Sequence, residues 1–187
     1  DVTNSGPRVL PGTYLVHLEA GNSVLEGEFS VHLDPRVTIS QTVLLARHDA
    51  MISSYRLSGV VSEANSALGE LEAQLEDALS LLGEVSPENE DLKAEIERLL
   101  GEVDQIGNDL GEGGRGANLV GQIEGVTGAP TADQLLQIEE SWDEIPAFID
   151  RLNILITAEV PALYARLDDA GIRPDPGSAI EMPRRRR

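Results

Sequence analysis

The chain has 187 residues, of which 33 are Asp or Glu and 14 are Lys or Arg, so its formal net charge at pH 7 is −19. A surface this acidic repels phosphate, which argues against nucleic acid as a partner. The absence of cysteine excludes disulfides, zinc–thiolate sites, iron–sulfur clusters and a thiol nucleophile. Apolar residues make up 41% of the chain, which is enough for a core. No apolar run is long enough to span a membrane, so we expect a folded chain without a transmembrane segment.

Residues 12–33 alternate between apolar and polar side chains, which is typical of β-strands. Gly21 and Asn22 lie between the two runs and predict a two-residue turn, hence a β-hairpin. That register places the apolar side chains on one face: Tyr14, Val16, Leu18, Leu25, Phe29 and Val31. Two strands with one apolar face cannot form a core alone, so we expect strands outside this chain to complete the sheet. The candidate contact residues on this face are Tyr14, Val16, Leu18, Phe29 and Val31.

From residue 38 onward the apolar period changes from two to about 3.5, which indicates amphipathic helices. The pattern predicts helices over about 38–83, 87–110 and 131–170, with a glycine-rich loop at 111–130 in which one short helical stretch is expected near 117–124. Each predicted helix carries an apolar stripe, and the three stripes should face one another and be buried together. The expected core includes Leu68, Leu71, Leu75, Leu99, Val103, Ile138, Leu152 and Leu163.

Local signals mark the predicted helix ends. Two capping boxes, Thr38 with Gln41 and Thr131 with Gln134, are predicted to start the first and third helices. Ser86-Pro87 favours the start of the second helix, and Gly171 favours the end of the third. Inside the third helix, Pro146 and Pro161 should each kink or break it.

The fold class that follows is mainly α. We expect an antiparallel three-helix bundle over residues 37–174, preceded by terminal strands over 1–36. Residues 175–187 contain Arg184 to Arg187 and are predicted to be a disordered, arginine-rich tail. Because the chain begins at Asp1 and has no apolar leader, we expect it to be processed, truncated or the end of a longer gene product.

The sequence contains no arrangement typical of catalysis or metal binding. His17, His32 and His48 are scattered and lack the spacing of a zinc site. On a helix, His48 and Asp49 point about 100 degrees apart, which disfavours a hydrolytic triad with a nearby serine. The glycine-rich run at 111–116 lacks the Lys-Ser/Thr of a phosphate-binding loop. We therefore predict no catalytic, cofactor-binding or metal-binding residue, and no cofactor.

Trp142 is the only tryptophan and falls on the apolar stripe of the third helix. Aromatic residues at helical spacing usually pack in a core, so an inter-helix position is favoured over a ligand platform. As a large aromatic side chain it is also retained as a candidate interaction residue.

Four short motifs follow one another along the chain: Gly6-Pro7-Arg8-Val9-Leu10-Pro11-Gly12-Thr13-Tyr14, Leu33-Asp34-Pro35-Arg36, Ala129-Pro130-Thr131 and Val160-Pro161-Ala162-Leu163-Tyr164. Their order resembles the C-terminal region of secreted bacterial BNR/Asp-box propeller proteins, which are sortilin-like and often labelled glycosyl hydrolases. The resemblance implies that the hairpin is the end of an immunoglobulin-like β-sandwich. This chain departs from that pattern by Tyr164 in place of the usual Asn, by Pro146 and by the arginine-rich extension. The Asp-box itself is absent, so no catalytic residue is carried over.

The resemblance implies a secreted protein, extracellular or periplasmic. The expected function is a non-enzymatic C-terminal module for interaction or stabilisation. Its partner would be the upstream propeller or immunoglobulin-like part of the same gene product, or a cleaved partner chain. Two alternatives remain open: an associated fragment of a larger hydrolase acting on glycans or peptides, and a self-assembling coiled-coil adaptor, which would be a homo-oligomer.

Overall fold

The computed structural model describes residues 6–82, 89–169 and 180–183. The strands are β1 (Gly12–Ala20) and β2 (Ser23–Val31). The α-helices are α1 (Gln41–Leu82), α2 (Glu90–Gly113), α3 (Val120–Glu124), α4 (Ala132–Ile154) and α5 (Val160–Asp169). A 3-10 segment spans Gly114–Asn118 and a π-helical segment spans Leu155–Glu159. The mainly α class with an N-terminal hairpin is confirmed. The predicted signals at Ser86-Pro87 and Gly171, and residues 175–179 and 184–187 of the tail, lie outside the described residues.

The hairpin has the predicted register. Tyr14 lies opposite Phe29, Val16 opposite Gly27, and Leu18 opposite Leu25. Gly21 adopts a φ of 62°, which is the left-handed conformation that a tight two-residue turn requires and that glycine accepts most readily.

The core lies between the long helices. The eight residues named as the expected core are all buried in one cluster: Leu68, Leu71, Leu75, Leu99, Val103, Ile138, Leu152 and Leu163. The stripe pattern therefore identified the inward faces of α1, α2, α4 and α5 correctly.

The two predicted capping boxes have different outcomes. At α4, the Thr131 hydroxyl accepts from the Gln134 amide at 3.1 Å, and the Gln134 side chain accepts from the Thr131 amide at 3.0 Å, so this box is confirmed. At α1, the prediction of Thr38 was wrong. The helix begins at Gln41, and the hydroxyl of Ser40 accepts from the Val43 amide at 3.3 Å. Ser40 takes the cap because it lies directly before the first helical residue.

The glycine-rich stretch is more ordered than the predicted loop over 111–130. α2 continues to Gly113, and the 3-10 segment follows; after Leu119 comes α3, which agrees with the short helical stretch expected near 117–124. The 3-10 segment crosses the bundle next to α4, where a Cβ on Gly116 would lie 2.4 Å from the Gln137 carbonyl oxygen. Glycine content here therefore reflects a close backbone approach to a neighbouring helix.

Two buried serines hold this crossing in place. The Ser141 hydroxyl on α4 accepts from the Gly116 amide at 2.9 Å and donates to the Gly113 carbonyl. The Ser54 hydroxyl on α1 accepts from the Leu119 amide at 3.1 Å. These bonds satisfy backbone groups that would otherwise be buried without partners.

The prolines of the third predicted helix also have different outcomes. Pro146 lies inside α4 and does not end it. Pro161 follows the π segment, where the Val160 amide donates to the Leu155 carbonyl, five residues back. Because proline has no amide hydrogen, the altered turn accommodates the missing bond. Leu155 and Ile156 are both buried there.

Candidate interaction surface

The apolar face of the hairpin is open to solvent. We call the residues Tyr14, Val16, Leu18, Leu25, Phe29 and Val31 the hairpin face. Tyr14 and Val31 are half-buried, and the other four side chains are exposed by between 46% and 63%. The five hairpin residues predicted as contacts therefore share one surface. Apolar groups arranged contiguously on an exposed surface are typical of an interaction site.

The opposite face of the hairpin is polar and acidic in character. Glu19, Glu26 and Glu28 lie there, and the His17 ring lies 3.1 Å from the Glu26 carboxylate. Leu15 and Val24 are also exposed on this side, by 68% and 61%, so this face is mainly but not wholly polar. The two faces thus differ in the way that a half-buried antiparallel sheet requires.

Both outer edges of the hairpin are unpaired within the described part of the chain, since its only sheet has two strands. Hydrogen-bonded and non-hydrogen-bonded pairs alternate along an antiparallel ladder. Every second residue of each strand consequently directs its amide and carbonyl away from the other strand. Such free edges accept another strand.

Tyr14 ties the start of β1 to the preceding segment. Its hydroxyl donates to the Leu10 carbonyl at 2.6 Å, and its ring stacks on Phe29 with 5.7 Å between centroids. The stacked pair joins the two strands on the hairpin face, and the hydroxyl bond fixes the position of the Tyr14 ring.

The predicted Asp-Pro-Arg step is a turn that connects the hairpin with α1. The Val37 amide donates to the Asp34 carbonyl at 2.9 Å, and the Arg36 guanidinium donates to both carboxylate oxygens of Asp34, the shorter bond being 2.6 Å. These side-chain bonds hold the pKa of the Asp34 carboxyl below its ordinary value and raise the pKa of Arg36. The turn is stabilised by its own side chains.

A pocket of about 520 Å³ lies where the hairpin meets the bundle. Residues 8–11 and 31–34 form one wall, and the start of α1 forms the other. Across it, Arg47 donates to the carbonyls of Ile123 and Glu124, at 3.1 and 3.4 Å. Sequence patterns did not indicate this pocket, because its walls come from segments that are distant in sequence.

Trp142 does not belong to the hairpin face. It is 7% exposed, lies between α4 and α1, and donates from Nε1 to the Ser53 hydroxyl at 2.7 Å. The core position favoured for this side chain is confirmed, and the structure does not bring it to the other candidate contacts.

His32 and His48 both line the pocket between the hairpin and the bundle, whereas His17 lies beside Glu26 on the hairpin. The buried Nδ1 of His48 has no hydrogen-bond partner among the described residues, and the Ser53 hydroxyl accepts from Trp142. Residues 6–82, 89–169 and 180–183 contain no group of His, Asp and Glu arranged to hold a metal ion. No helix among them is long and apolar enough to cross a bilayer.

Neither a known protein family nor a curated protein nor a solved structure matches the chain.

Proposed function

We propose that the chain is a non-enzymatic interaction module whose hairpin completes a β-sheet formed by strands of other sequence. The observation that carries this proposal is a fully formed hairpin whose apolar face and both edges are open. A two-stranded sheet with an apolar face is marginal in water, and added strands satisfy the backbone edges and the apolar face together. The partner is therefore a β-rich polypeptide segment.

The Tyr14 contact supports an immunoglobulin-like sandwich as that partner. In such sandwiches a tyrosine near the start of a late strand donates its hydroxyl to a backbone carbonyl a few residues upstream. Tyr14 is the third residue of β1, and its hydroxyl makes a bond of this kind to the Leu10 carbonyl. Together with the motif order that resembles the C-terminal region of secreted BNR/Asp-box propeller proteins, it favours a module attached to the upstream part of the same gene product, or to a cleaved partner, outside the cytoplasm.

The packing of α1 favours this proposal over a coiled-coil adaptor. A coiled coil between chains needs an apolar stripe that faces outward. The stripe residues of α1, including Leu57, Leu71 and Leu75, are instead buried against other helices of the same chain. The alternative of a larger hydrolase places any catalysis outside these 187 residues.

Amide exchange compares the isolated chain with the gene product that contains it. In the isolated chain, the outward amides of the hairpin should exchange fast, because they have no partner strand. In the larger protein, the amides along at least one edge should be slowed by two orders of magnitude or more. Equal, fast exchange in both forms would refute the proposal. Protection in the isolated chain that rises with concentration would show self-association and favour the homo-oligomer.

Two leucines of β1 provide a matched pair of variants. Leu18 lies on the hairpin face and Leu15 on the opposite face, and both are exposed by more than half. Leu18→Asp should abolish the protection of the hairpin in the larger protein, because it buries a charge in the interface. Leu15→Asp should leave the protection intact. Equal effects of the two variants would contradict a one-sided docking surface.

A further inference from the structure

Residues 180–183 contact the bundle through two hydrogen bonds between the backbone of Ile180 and the side chain of Asn153. The Ile180 amide donates to the Asn153 side-chain oxygen at 2.7 Å, and the Asn153 side-chain nitrogen donates to the Ile180 carbonyl at 2.9 Å. One side-chain amide thus satisfies both polar backbone groups of a single residue, as a neighbouring strand would do. Bonds of this kind recognise an extended peptide irrespective of its side chains.

The side chain of Ile180 is buried against the bundle. It is 5% exposed and belongs to the hydrophobic core of the bundle. Glu181 is exposed, and Met182 again packs partly against the core. This alternation of inward and outward side chains is typical of an extended segment held in a groove.

The groove is larger than its present occupant. Open space of about 310 Å³ continues beside Ile180 along α1, between residues 63–74 and Ile156 of the π segment. Leu71 and Ile156 provide apolar lining, and Gln74 provides a polar one. The π segment lies two residues after Asn153, and such segments are frequent at functional sites.

We propose that this groove is a recognition site for extended peptides with an aliphatic anchor residue, occupied in this structure by residues 180–182 of the same chain. Asn153 binds the backbone of the anchor residue, and the space between α1 and the π segment binds its side chain. The bound segment is exchangeable, so a peptide of the same chemistry competes with it. This inference does not depend on the hairpin.

The test uses the full chain with Ile180→Asp, which removes the occupant from the groove, and a fluorescent peptide of the sequence Gly-Ser-Ala-Ile-Glu-Met-Pro. The variant should bind this peptide saturably, whereas the native chain should bind it at least tenfold more weakly because its own segment competes. Replacing Ile by Ala in the peptide should weaken binding by at least tenfold, since three buried carbon groups lose their contacts. Glu181→Ala, which leaves the anchor in place, should behave as the native chain does.

A second substitution tests the backbone recognition. Asn153→Leu in the Ile180→Asp chain keeps the size of the side chain and removes both hydrogen bonds, so peptide binding should be lost. A folded Ile180→Asp chain that does not bind the peptide, or that binds the alanine peptide equally well, would overturn the inference.

Hydrogen exchange in the native chain tests the same point without any substitution. If the segment is exchangeable, the Ile180 amide should exchange at least a hundredfold faster than the amide of the core residue Leu99, through a local opening. If it exchanges only with global unfolding, the segment is a permanent part of the core and the inference fails.

Discussion

The hairpin and the bundle both contain regularly spaced apolar residues, but these side chains are buried in the bundle and exposed in the hairpin. In the bundle, Leu71 and Leu99 are inaccessible to solvent or nearly so. In the hairpin, Leu18 and Leu25 are exposed by 57% and 63% although the strands are fully paired. Local pattern therefore determines secondary structure in both regions, but only the bundle contains enough layers to close its own core. The difference indicates which region is self-sufficient and which needs a partner.

The largest effect that this contrast predicts is in the bundle. Leu71→Ala should lower the free energy of unfolding by about 2–5 kcal/mol, through lost burial and the cavity that remains. Leu81→Ala on the same helix is the control, because Leu81 is 69% exposed and its loss should change stability by less than about 0.5 kcal/mol. Urea unfolding followed by circular dichroism measures both. Equal midpoints for the two variants would show that the buried stripe is not the source of stability.

The next largest effect on stability is expected in the 3-10 segment that crosses the bundle next to α4. Gly116→Ala should cost about 2–3 kcal/mol, because its Cβ would lie 2.4 Å from the Gln137 carbonyl oxygen and the backbone would have to move. Gly121→Ala is the matched control, since nothing lies within 4 Å of its Cβ. That variant should be neutral or slightly stabilising, as alanine favours the helix. A neutral Gly116→Ala would mean that the crossing is not closely packed.

The cap of α4 has a smaller predicted effect. Thr131→Ala should cost about 1 kcal/mol, because it removes the hydroxyl that accepts from the Gln134 amide. Thr131→Ser keeps a hydroxyl and should retain most of the stability in the same thermal or urea measurement. If the two variants were equally destabilised, the methyl group and not the cap would explain the loss.

Tyr14→Phe tests whether the hairpin unfolds separately from the bundle. It removes the bond to the Leu10 carbonyl, so the amides that are hydrogen-bonded between β1 and β2 should exchange roughly threefold to tenfold faster. The global free energy of unfolding of the isolated chain should change by less than about 0.5 kcal/mol. A global loss above about 1 kcal/mol would show that the two regions unfold as one unit, and the contrast between them would fail.

The smallest predicted effect is the pH dependence of the turn at Asp34. Because the pKa of Asp34 is lowered by the bonds from Arg36, its carboxylate stabilises the turn at pH values above the ordinary value of 3.8. That stabilisation is lost as the pH falls through the lowered pKa. Titration of the Asp34 carboxyl carbon by NMR should therefore give a midpoint below 3.8, and Arg36→Gln should return it toward 3.8. A native midpoint at or above 3.8 would exclude the bidentate pair in solution.

The helical stripes, the hairpin register and the Thr131 cap could be predicted because each depends on residues close in sequence. The 3-10 segment that crosses the bundle next to α4 could not be predicted, since glycine content alone favours a loop. Its order depends on Ser54 and Ser141, which lie 65 and 25 residues from their backbone partners. The groove of Ile180 was missed for a similar reason. Only a single aliphatic residue in a polar, proline-containing stretch could have indicated it, and its partner Asn153 is 27 residues away.

Helix α1 separates the two proposed contact sites. At 1.5 Å per residue its 42 residues span about 63 Å, and the part that borders the Ile180 groove begins about 33 Å from its N-terminus. The hairpin joins α1 at its N-terminal end, through the Asp34 turn. A partner strand on the hairpin and a peptide in the groove would therefore bind near parts of α1 that are about 33 Å apart. Their occupancies should be statistically independent unless α1 itself transmits a rigid displacement from one site to the other.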